Sequence, residues 1–426
     1  MDVVKLTQEL VKRQSITPQE CGIYTLIKSI LQDFTAIECE ENGVKNLFLY
    51  KDFSGDSSGG DYRNCGDSAD FDEIQDSSDF KKSTDSSDLK ASNDSNDSTL
   101  FSDFEKSSDS KKPHICFAGH IDVVPAGEGW SVEPFGGEIK DSVLYGRGVQ
   151  DMKGGVAAFV TALKEIKHFS GILSLLLTSD EEGDGIYGTK IMLEVLKKQN
   201  LLPDFAIVAE PTCRKVLGDS IKVGRRGSIN GILRIFGTQG HAAYPQKCLN
   251  PIDLIAPILA EISSKDLDSG NESFAPSKVI ITDIRAGMEA TNVTPSELKL
   301  MFNVRNSPLT DKDSIESYIK SLLKKAKIQR YELSFSQNSF PFLCDSATLL
   351  KSLTFAISSI TNATPQANTE GGTSDARYFS AFGVEVVEFG LINDRIHAID
   401  ECVKVRDLEL LRDIFIAFLQ NFKRFL

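Results

Sequence analysis

The sequence predicts an α/β protein with a mostly parallel sheet, interrupted by a compact inserted α+β unit. Three observations carry this. Short continuous apolar runs such as "GILSLLLT" suit strands buried on both faces. These runs alternate with stretches of helical spacing, "GGVAAFVTALKEIKHF" and "GTKIMLEVLKKQ", in the β–α–β–α order of a parallel sheet. After Glu210 the pattern changes to strand-like alternation, as in "SIKVGRRGSINGILRIFGTQG", before helix and strand resume near residue 341.

The elements follow in order. "MDVVKLTQELVKRQ" is amphipathic, charged throughout and lacks the apolar block of a signal peptide, which points to a cytoplasmic protein. No run approaches the ~18 apolar residues that span a bilayer. "NLFLY" (Asn46 to Tyr50) and "HICFAGH" (His114 to His120) read as strands, and their order suggests one β-hairpin with a very long turn. The segment between them, residues 52–112, is about half Ser and Asp over most of its length, too poor in apolar residues to offset the entropy of ordering, and is expected to be a disordered insertion. From Asp52 to Ser110 it holds 14 Asp, 2 Glu, 4 Lys and 1 Arg, so it carries -11 of the chain's net charge of -14. The acidity is therefore local, and it argues against a nucleic-acid partner.

"DFAIVAE" is a further strand. In the inserted unit, "NPIDLIAPILAEISS" is a helix, "SKVIITDIRAG" and "SELKLMFNVRNS" are strands, and "DKDSIESYIKSLLKKAKI" is a helix with an Asp cap candidate, followed by the strand "RYELSFSQ". Then come the helix "SATLLKSLTFAISSI", the strand "VEVVEFG" and a last amphipathic helix, "VRDLELLRDIFIAFLQNF". The domain plan is 1–226 and 341–426 as the two parts of one catalytic domain, with 227–340 inserted. At 426 residues the chain has ample length for two domains. The eight cysteines are scattered without a CxxC pair, so neither a Cys zinc site nor a disulfide scaffold is expected.

The chemistry-bearing residues gather at element ends. There are five histidines, and His120 closes a strand run in "FAGHIDVVPAG". Asp122, two residues on, has the spacing to accept the second ring N–H of a metal-bound His120. Asp151 lies between a glycine-rich turn and a helix start, where the plainer alternative is an N-cap. Glu181 and Glu182 follow the strand "GILSLLLT", Glu210 follows "DFAIVAE", and His397 follows "VEVVEFG". Sites in open α/β sheets form outside the carboxyl ends of strands. Two histidines and several carboxylates there make a nitrogen–oxygen donor set fit for Zn²⁺, Co²⁺ or Mn²⁺.

With these residues in view, "FAGHIDVVPAGEGW", "GRGVQDMKGG", "TSDEEGDGIYGT", "VAEPT" and "GGTSDARYF" resemble the co-catalytic metallohydrolases that include aminoacylases, acetylornithine deacetylase and carboxypeptidases of the same fold. "GRRGSINGILRIFGTQGHAAYPQKCLNPI", "ATNVTPSELKLMFNVRNS" and "IHAIDECV" narrow the likeness to desuccinylase members. The resemblance covers essentially the whole chain outside residues 52–112. It departs at "HID", where HTD is usual, and at Asp400, where Asn is frequent.

The resemblance implies a metal-binding catalytic domain with a ferredoxin-like lid and dimerisation domain, acting as a homodimer with two divalent ions, Zn²⁺ or Co²⁺, per subunit. It implies one ion on His120, Asp151 and Glu210, a second on His397, Asp151 and Glu182, and Glu181 as the proton carrier. It places Arg225, Tyr244, Asn292, Arg305, Thr373 and Ser374 at the substrate. His241 would come from the neighbouring subunit to steady the oxyanion. The implied reaction cleaves N-succinyl-LL-2,6-diaminopimelate. The alternatives are an acetylornithine deacetylase or related N-acyl-amino-acid hydrolase, and a metal-binding interaction protein without catalysis. His114 and His168 match no motif and read as non-catalytic.

Overall fold

Ile172–Thr178, His114–His120, Phe205–Val208 and Glu385–Glu388 lie side by side and run parallel at the centre of an eight-stranded sheet. Thr35–Glu41 and Val44–Asp52 continue it antiparallel on one flank; Ser220–Lys222 and Gln366–Asn368 complete the other. The computed structural model describes residues 2–53 and 112–426. The Asp/Ser-rich insertion expected from the sequence lies, over 54–111, outside the described residues.

The hairpin expected from "NLFLY" and "HICFAGH" does not form. Ile172–Thr178 sits between the two strands, antiparallel to Val44–Asp52 and parallel to His114–His120. All seven residues of His114–His120 are buried. A strand covered on both faces belongs inside a sheet reached by helical crossovers, and a connection this long supplies no tight turn to fix a hairpin register.

The crossover helix Gly154–Glu165 is buried along most of its length. It packs against the last helix, Val405–Asn421, which also covers Ala347–Thr361. Phe159 stacks on Phe117 with centroids 4.2 Å apart and meets Phe415 at 4.4 Å. Each such ring contributes roughly 1.5–3 kcal/mol of apolar burial. Thr189–Lys198 and Ala376–Ala381 pack together as a second helical group.

The inserted unit has the order strand–helix–strand–strand–helix–strand. Its sheet runs Lys278–Ala286, Glu297–Arg305, Ser228–Phe236, Tyr331–Ser339, antiparallel throughout, which is the ferredoxin-like arrangement. Its helices, Pro251–Ser264 and Lys312–Lys325, close a separate apolar core around Leu233, Ile258, Phe302 and Ile319. Asp311 caps the second helix as its sequence suggested, accepting from the Ser314 amide at 2.8 Å.

One element was not legible from periodicity. Cys402–Lys404 pairs with Val143–Tyr145, which pairs with Ile139–Lys140. This small sheet lays the segment after His397 against the turn that carries Asp151. Among the described residues no helix is long and apolar enough to cross a membrane, and the seven described cysteines form no disulfide.

Candidate metal centre

Three adjacent parallel strands deliver their carboxyl ends to one edge. His120 is the last residue of its strand, Glu181 and Glu182 occupy the turn after Ile172–Thr178, and Glu210 stands two residues past Val208. Asp151 comes from an irregular turn, Val149–Lys153, with φ -118° and ψ 93°, ahead of helix Gly154–Glu165. Lys153, not Asp151, is the residue at the helix N-cap, so the capping alternative does not hold. Two glycines permit this close fit. Gly148 has φ +82°, and a Cβ there would lie 2.4 Å from Val123. A Cβ on Gly155 would lie 2.8 Å from the Ala209 carbonyl, so the helix start could not approach the strand end that bears Glu210.

Asp151 sits between the two histidines. Its Oδ1 is 3.1 Å from His120 Nε2, and its Oδ2 is 3.6 Å from His397 Nε2. His397 Nε2 also meets Glu182 Oε1 at 2.8 Å. His120 Nε2 is 4.0 Å from Glu210 Oε1. Donor atoms of His120, Asp151 and Glu182 lie within 4.8 Å of one another, and so do those of His120, Glu181 and Glu210. All five residues expected to ligate metal, together with Glu181, therefore converge.

His120 differs in one detail from the expectation. Its Nδ1 donates to the main-chain carbonyl of Asp122 at 2.9 Å, and the Asp122 carboxylate stands off at 3.6 Å. The strand ends at His120, so the two-residue alternation no longer aims Asp122 at the ring. A carbonyl only accepts, so Nδ1 carries the proton and Nε2 is the ring atom left to face the cluster. Asp122 is fully buried and takes the Thr17 hydroxyl at 2.7 Å and the Glu182 amide at 3.2 Å. It thus ties the acidic turn to the His120 strand end.

The electrostatics of the cluster demand a cation. Like charges ~4 Å apart repel by about 4 kcal/mol at an effective dielectric constant near 20. Burial, with Asp151 and Glu181 beside it, pushes the Glu210 carboxyl well above the usual carboxylate range. Burial, with Asp375, Asp151 and Glu182 nearby, does the same to Glu181 despite His120. Burial disfavours a charged His120, but the Asp151 hydrogen bond and the surrounding acids outweigh it and raise its pKa strongly. The Glu182 hydrogen bond raises His397 in the same way. Protonated histidines thus neutralise the acids when no other cation is there. Glu210 Oε1 is buried with no hydrogen-bond partner among the described residues. An orphaned carboxyl oxygen facing imidazole nitrogen is what a divalent ion would satisfy, so the residues fit a metal.

Two buried arginine–glutamate pairs flank the cluster, and sequence reading passed over both glutamates. Glu401 accepts from Arg147 Nη1 at 2.8 Å and from the amides of Gly148, Gln150 and Asp151 at 2.9, 2.8 and 3.2 Å. Glu388 ends the strand Glu385–Glu388, pairs with the Arg225 guanidinium and accepts the Ser374 hydroxyl. The available signal was a charge inside the apolar run "VEVVEFG", because a strand buried on both faces must give such a charge a partner.

The expected substrate residues fall into two groups. Arg225 and Ser374 join through Glu388, and Thr373 adjoins Ser374. Arg305 ends the strand Glu297–Arg305 and is half-buried; burial and the neighbouring cations of Arg226 and Arg225 depress its pKa. Neither Arg226 nor Arg305 has an ion pair among the described residues. His241, Tyr244 and Asn292 sit together on the inserted unit. The short strand Gly240–His241 pairs with Val293–Thr294, Ala242 donates to the Asn292 carbonyl at 2.9 Å, and the rings of His241 and Tyr244 stand 5.8 Å apart. All three are exposed, and no hydrogen bond or ion pair among the described residues links them to the acidic cluster. His114 is buried against Ser174 at 2.8 Å, and His168 is exposed on a loop, both away from the cluster.

An α/β sheet with a ferredoxin-like insertion, carrying histidines and clustered carboxylates at its carboxyl edge, fits a metal-dependent hydrolase. The chain belongs to the peptidase family M20/M25/M40, whose family model matches residues 116–421. It is 49% identical over 424 residues to a succinyl-diaminopimelate desuccinylase of Helicobacter pylori, with 99% of each chain covered. It is 48% identical over 418 residues to the enzyme of that name from Wolinella succinogenes, covering 98% of this chain and 99% of the relative. In fold it is similar to an M20-family metallo-carboxypeptidase from Sulfolobus solfataricus, with a TM-score of 0.72 at 16% identity and 99% of each chain covered.

Proposed function

We propose that the protein hydrolyses N-succinyl-LL-2,6-diaminopimelate to succinate and LL-2,6-diaminopimelate, a step of diaminopimelate and lysine biosynthesis, with two divalent ions, Zn²⁺ or Co²⁺, per chain. The observation that carries the hydrolytic reading is the orphaned Glu210 oxygen in a cluster of acids and imidazoles that has no lysine or arginine ion pair among the described residues. Near 49% identity over essentially full length to relatives named for this reaction supports the substrate.

His120, Asp151 and Glu210 would hold one ion, and His397, Asp151 and Glu182 the other, with Asp151 shared. Bound there, such ions supply Lewis acidity toward the amide carbonyl and lower the pKa of water. Glu181 takes the proton of the attacking water as its oxygen bonds to the carbonyl carbon. Glu181 then returns that proton to nitrogen as the C–N bond breaks, leaving a carboxylic acid and an amine, and the acid's proton passes to the amine to give carboxylate and ammonium. Asp122 supports the geometry by holding the amides of the acidic turn.

The substrate bears three carboxylates. Arg305, without a carboxylate partner among the described residues, suits one of them as a guanidinium fork. Arg225, held by Glu388, presents its remaining edge beside Ser374 and Thr373. Residues 227–340 act as a lid and dimerisation domain on a catalytic domain formed by 1–226 and 341–426. His241, with Tyr244 and Asn292 beside it, reaches the reacting carbonyl of the partner subunit's site in a cytoplasmic homodimer.

The test is a substrate panel with added Zn²⁺ or Co²⁺. Preferential release of succinate from N-succinyl-LL-2,6-diaminopimelate is expected. A preference for N-acetylornithine would overturn the substrate assignment and leave the metal chemistry standing.

A further inference from the structure

We propose that Arg147 and Glu401 form a positioning clamp that fixes Asp151 relative to His397, and so tunes the affinity of the cation those two residues share. The proposal rests on the two-ion reading above, but it assigns a role to residues outside the ligand set.

Every side-chain hydrogen bond of the pair outside the ion pair itself ends on a segment next to a donor. Glu401 Oε1 accepts from the Gln150 amide at 2.8 Å and from the amide of Asp151 itself at 3.2 Å. Its Oε2 accepts from the Gly148 amide at 2.9 Å and from Arg147 Nη1 at 2.8 Å. Its main-chain carbonyl accepts from Gly146 at 2.9 Å. From the other side, Arg147 donates to the carbonyl of His397 at 3.3 Å and to that of Ala398 at 3.1 Å. Arg147 Nη2 also donates to the Ala126 carbonyl at 3.0 Å, on the loop that leaves His120, and its guanidinium lies 5.1 Å from the Trp130 ring centroid. One ion pair thus grips the turn of Asp151, the segment of His397 and the loop after His120.

Neither gripped backbone holds its shape by regular structure. Asp151 has non-helical dihedrals. His397 and Asp400 have φ of +61° and +54°, the left-handed region that non-glycine residues seldom enter. Such conformations persist when surrounding contacts over-determine them. Arg147 is 2% exposed and Glu401 0%. A buried ion pair is an inefficient way to gain stability, since apolar residues of similar volume do as well or better. Its use here fits a need for directed hydrogen bonds to particular amides and carbonyls. Groups that orient metal ligands typically change metal affinity by about 10–100-fold when replaced.

The experiment strips the full-length protein with a chelator and titrates Zn²⁺ calorimetrically into the wild type, Glu401→Gln and Arg147→Lys, with a thermal melt of each. Glu401→Gln turns an acceptor into an amide donor facing N–H groups. One of the two Zn²⁺ affinities is expected to fall about 10–100-fold, the other, which shares only Asp151 with it, to change by less, and Arg147→Lys to show the same unequal loss at smaller size. Unchanged affinities in both variants overturn the clamp. Equal weakening of both ions in step with a lowered melting temperature overturns it too, since that marks a purely structural pair. Should Glu401→Gln fail to fold, Arg147→Lys is read by the same criteria. A wild type that binds no second ion overturns the two-ion reading itself, and the clamp with it.

Discussion

The carboxylates at the carboxyl edge of the sheet meet two different fates. Glu388 and Glu401 are buried and each is given an arginine, Arg225 and Arg147. Glu210, Glu181, Glu182 and Asp151 are crowded into the neighbouring cluster with histidines as their only ion-pair partners among the described residues, and one Glu210 oxygen accepts no hydrogen bond from them. Where a negative charge serves the framework, the chain neutralises it internally. Where it is left open, the chain depends on a cation from outside. On the proposed function the same residue type is structural in one place and reactive in the other, and the presence of a guanidinium distinguishes them.

The largest expected effect falls on the open cluster. Glu181→Gln should lower turnover about 10²–10⁴-fold, the range of a lost general acid–base group. Metal content measured by elemental analysis should stay at the wild-type value. Unchanged turnover, or turnover and metal lost together, would break the distinction between Glu181 and its neighbours.

Next comes the compensated pair. Glu388→Ala leaves the Arg225 charge buried and unpaired, and should cost about 3–5 kcal/mol in denaturant unfolding. Replacing both partners, as Arg225→Met with Glu388→Leu, should recover most of that loss while binding of substrate suffers. A single variant as stable as the wild type would show that the pair is not needed to neutralise its own charge.

The metal itself should stabilise by about 2.7 kcal/mol at a free concentration 100 times its dissociation constant. The gain should depend on pH. Glu181, Glu210 and His120 all have raised pKa values in the folded chain. Their contribution to the metal-free fold is therefore complete at low pH and fades as pH rises through their folded values, starting at about 4 for the two carboxyls and about 6.5 for His120. Metal needs the deprotonated donors, so its affinity moves the other way. Melting temperatures with and without chelator should diverge between about pH 5 and 8. A gap that is flat or narrows across that window would contradict the charge reading.

The smallest effect has the opposite sign to intuition. In metal-free protein near neutral pH, Glu210→Gln should be neutral or stabilising by up to about 1 kcal/mol, because it removes a carboxyl whose ionisation burial and the neighbouring acids disfavour. Loss of stability as large as that of Glu388→Ala would place Glu210 with the framework acids.

Much of this candidate site is legible in the sequence. His120, Glu181, Glu182 and Glu210 follow apolar strand runs, and a parallel sheet sends such positions to one edge. Asp151 and His397 were recognisable from their motifs. The central strands and both helices of the inserted unit follow from apolar periodicity. Pairing did not. Val44–Asp52 and His114–His120 are neighbours among the chain's predicted strands but not in the sheet, because burial on both faces outweighs order along the chain. Glu401 and Arg147 stayed hidden for a related reason. They meet only because Cys402–Lys404 pairs with Val143–Tyr145, strands too short to show a period. Asp122 shows the limit of spacing rules, since its carboxylate turns to the acidic turn once the strand has ended.

A count of Zn²⁺ ions bound per chain, by calorimetric titration of chelator-stripped protein, tests the uncompensated cluster most directly when wild type and Asp151→Asn are compared. Two ions are expected in the wild type, with both weakened in Asp151→Asn because that carboxylate faces both histidines. No bound ion in the wild type, or two ions held at unchanged affinity without the Asp151 charge, would contradict it.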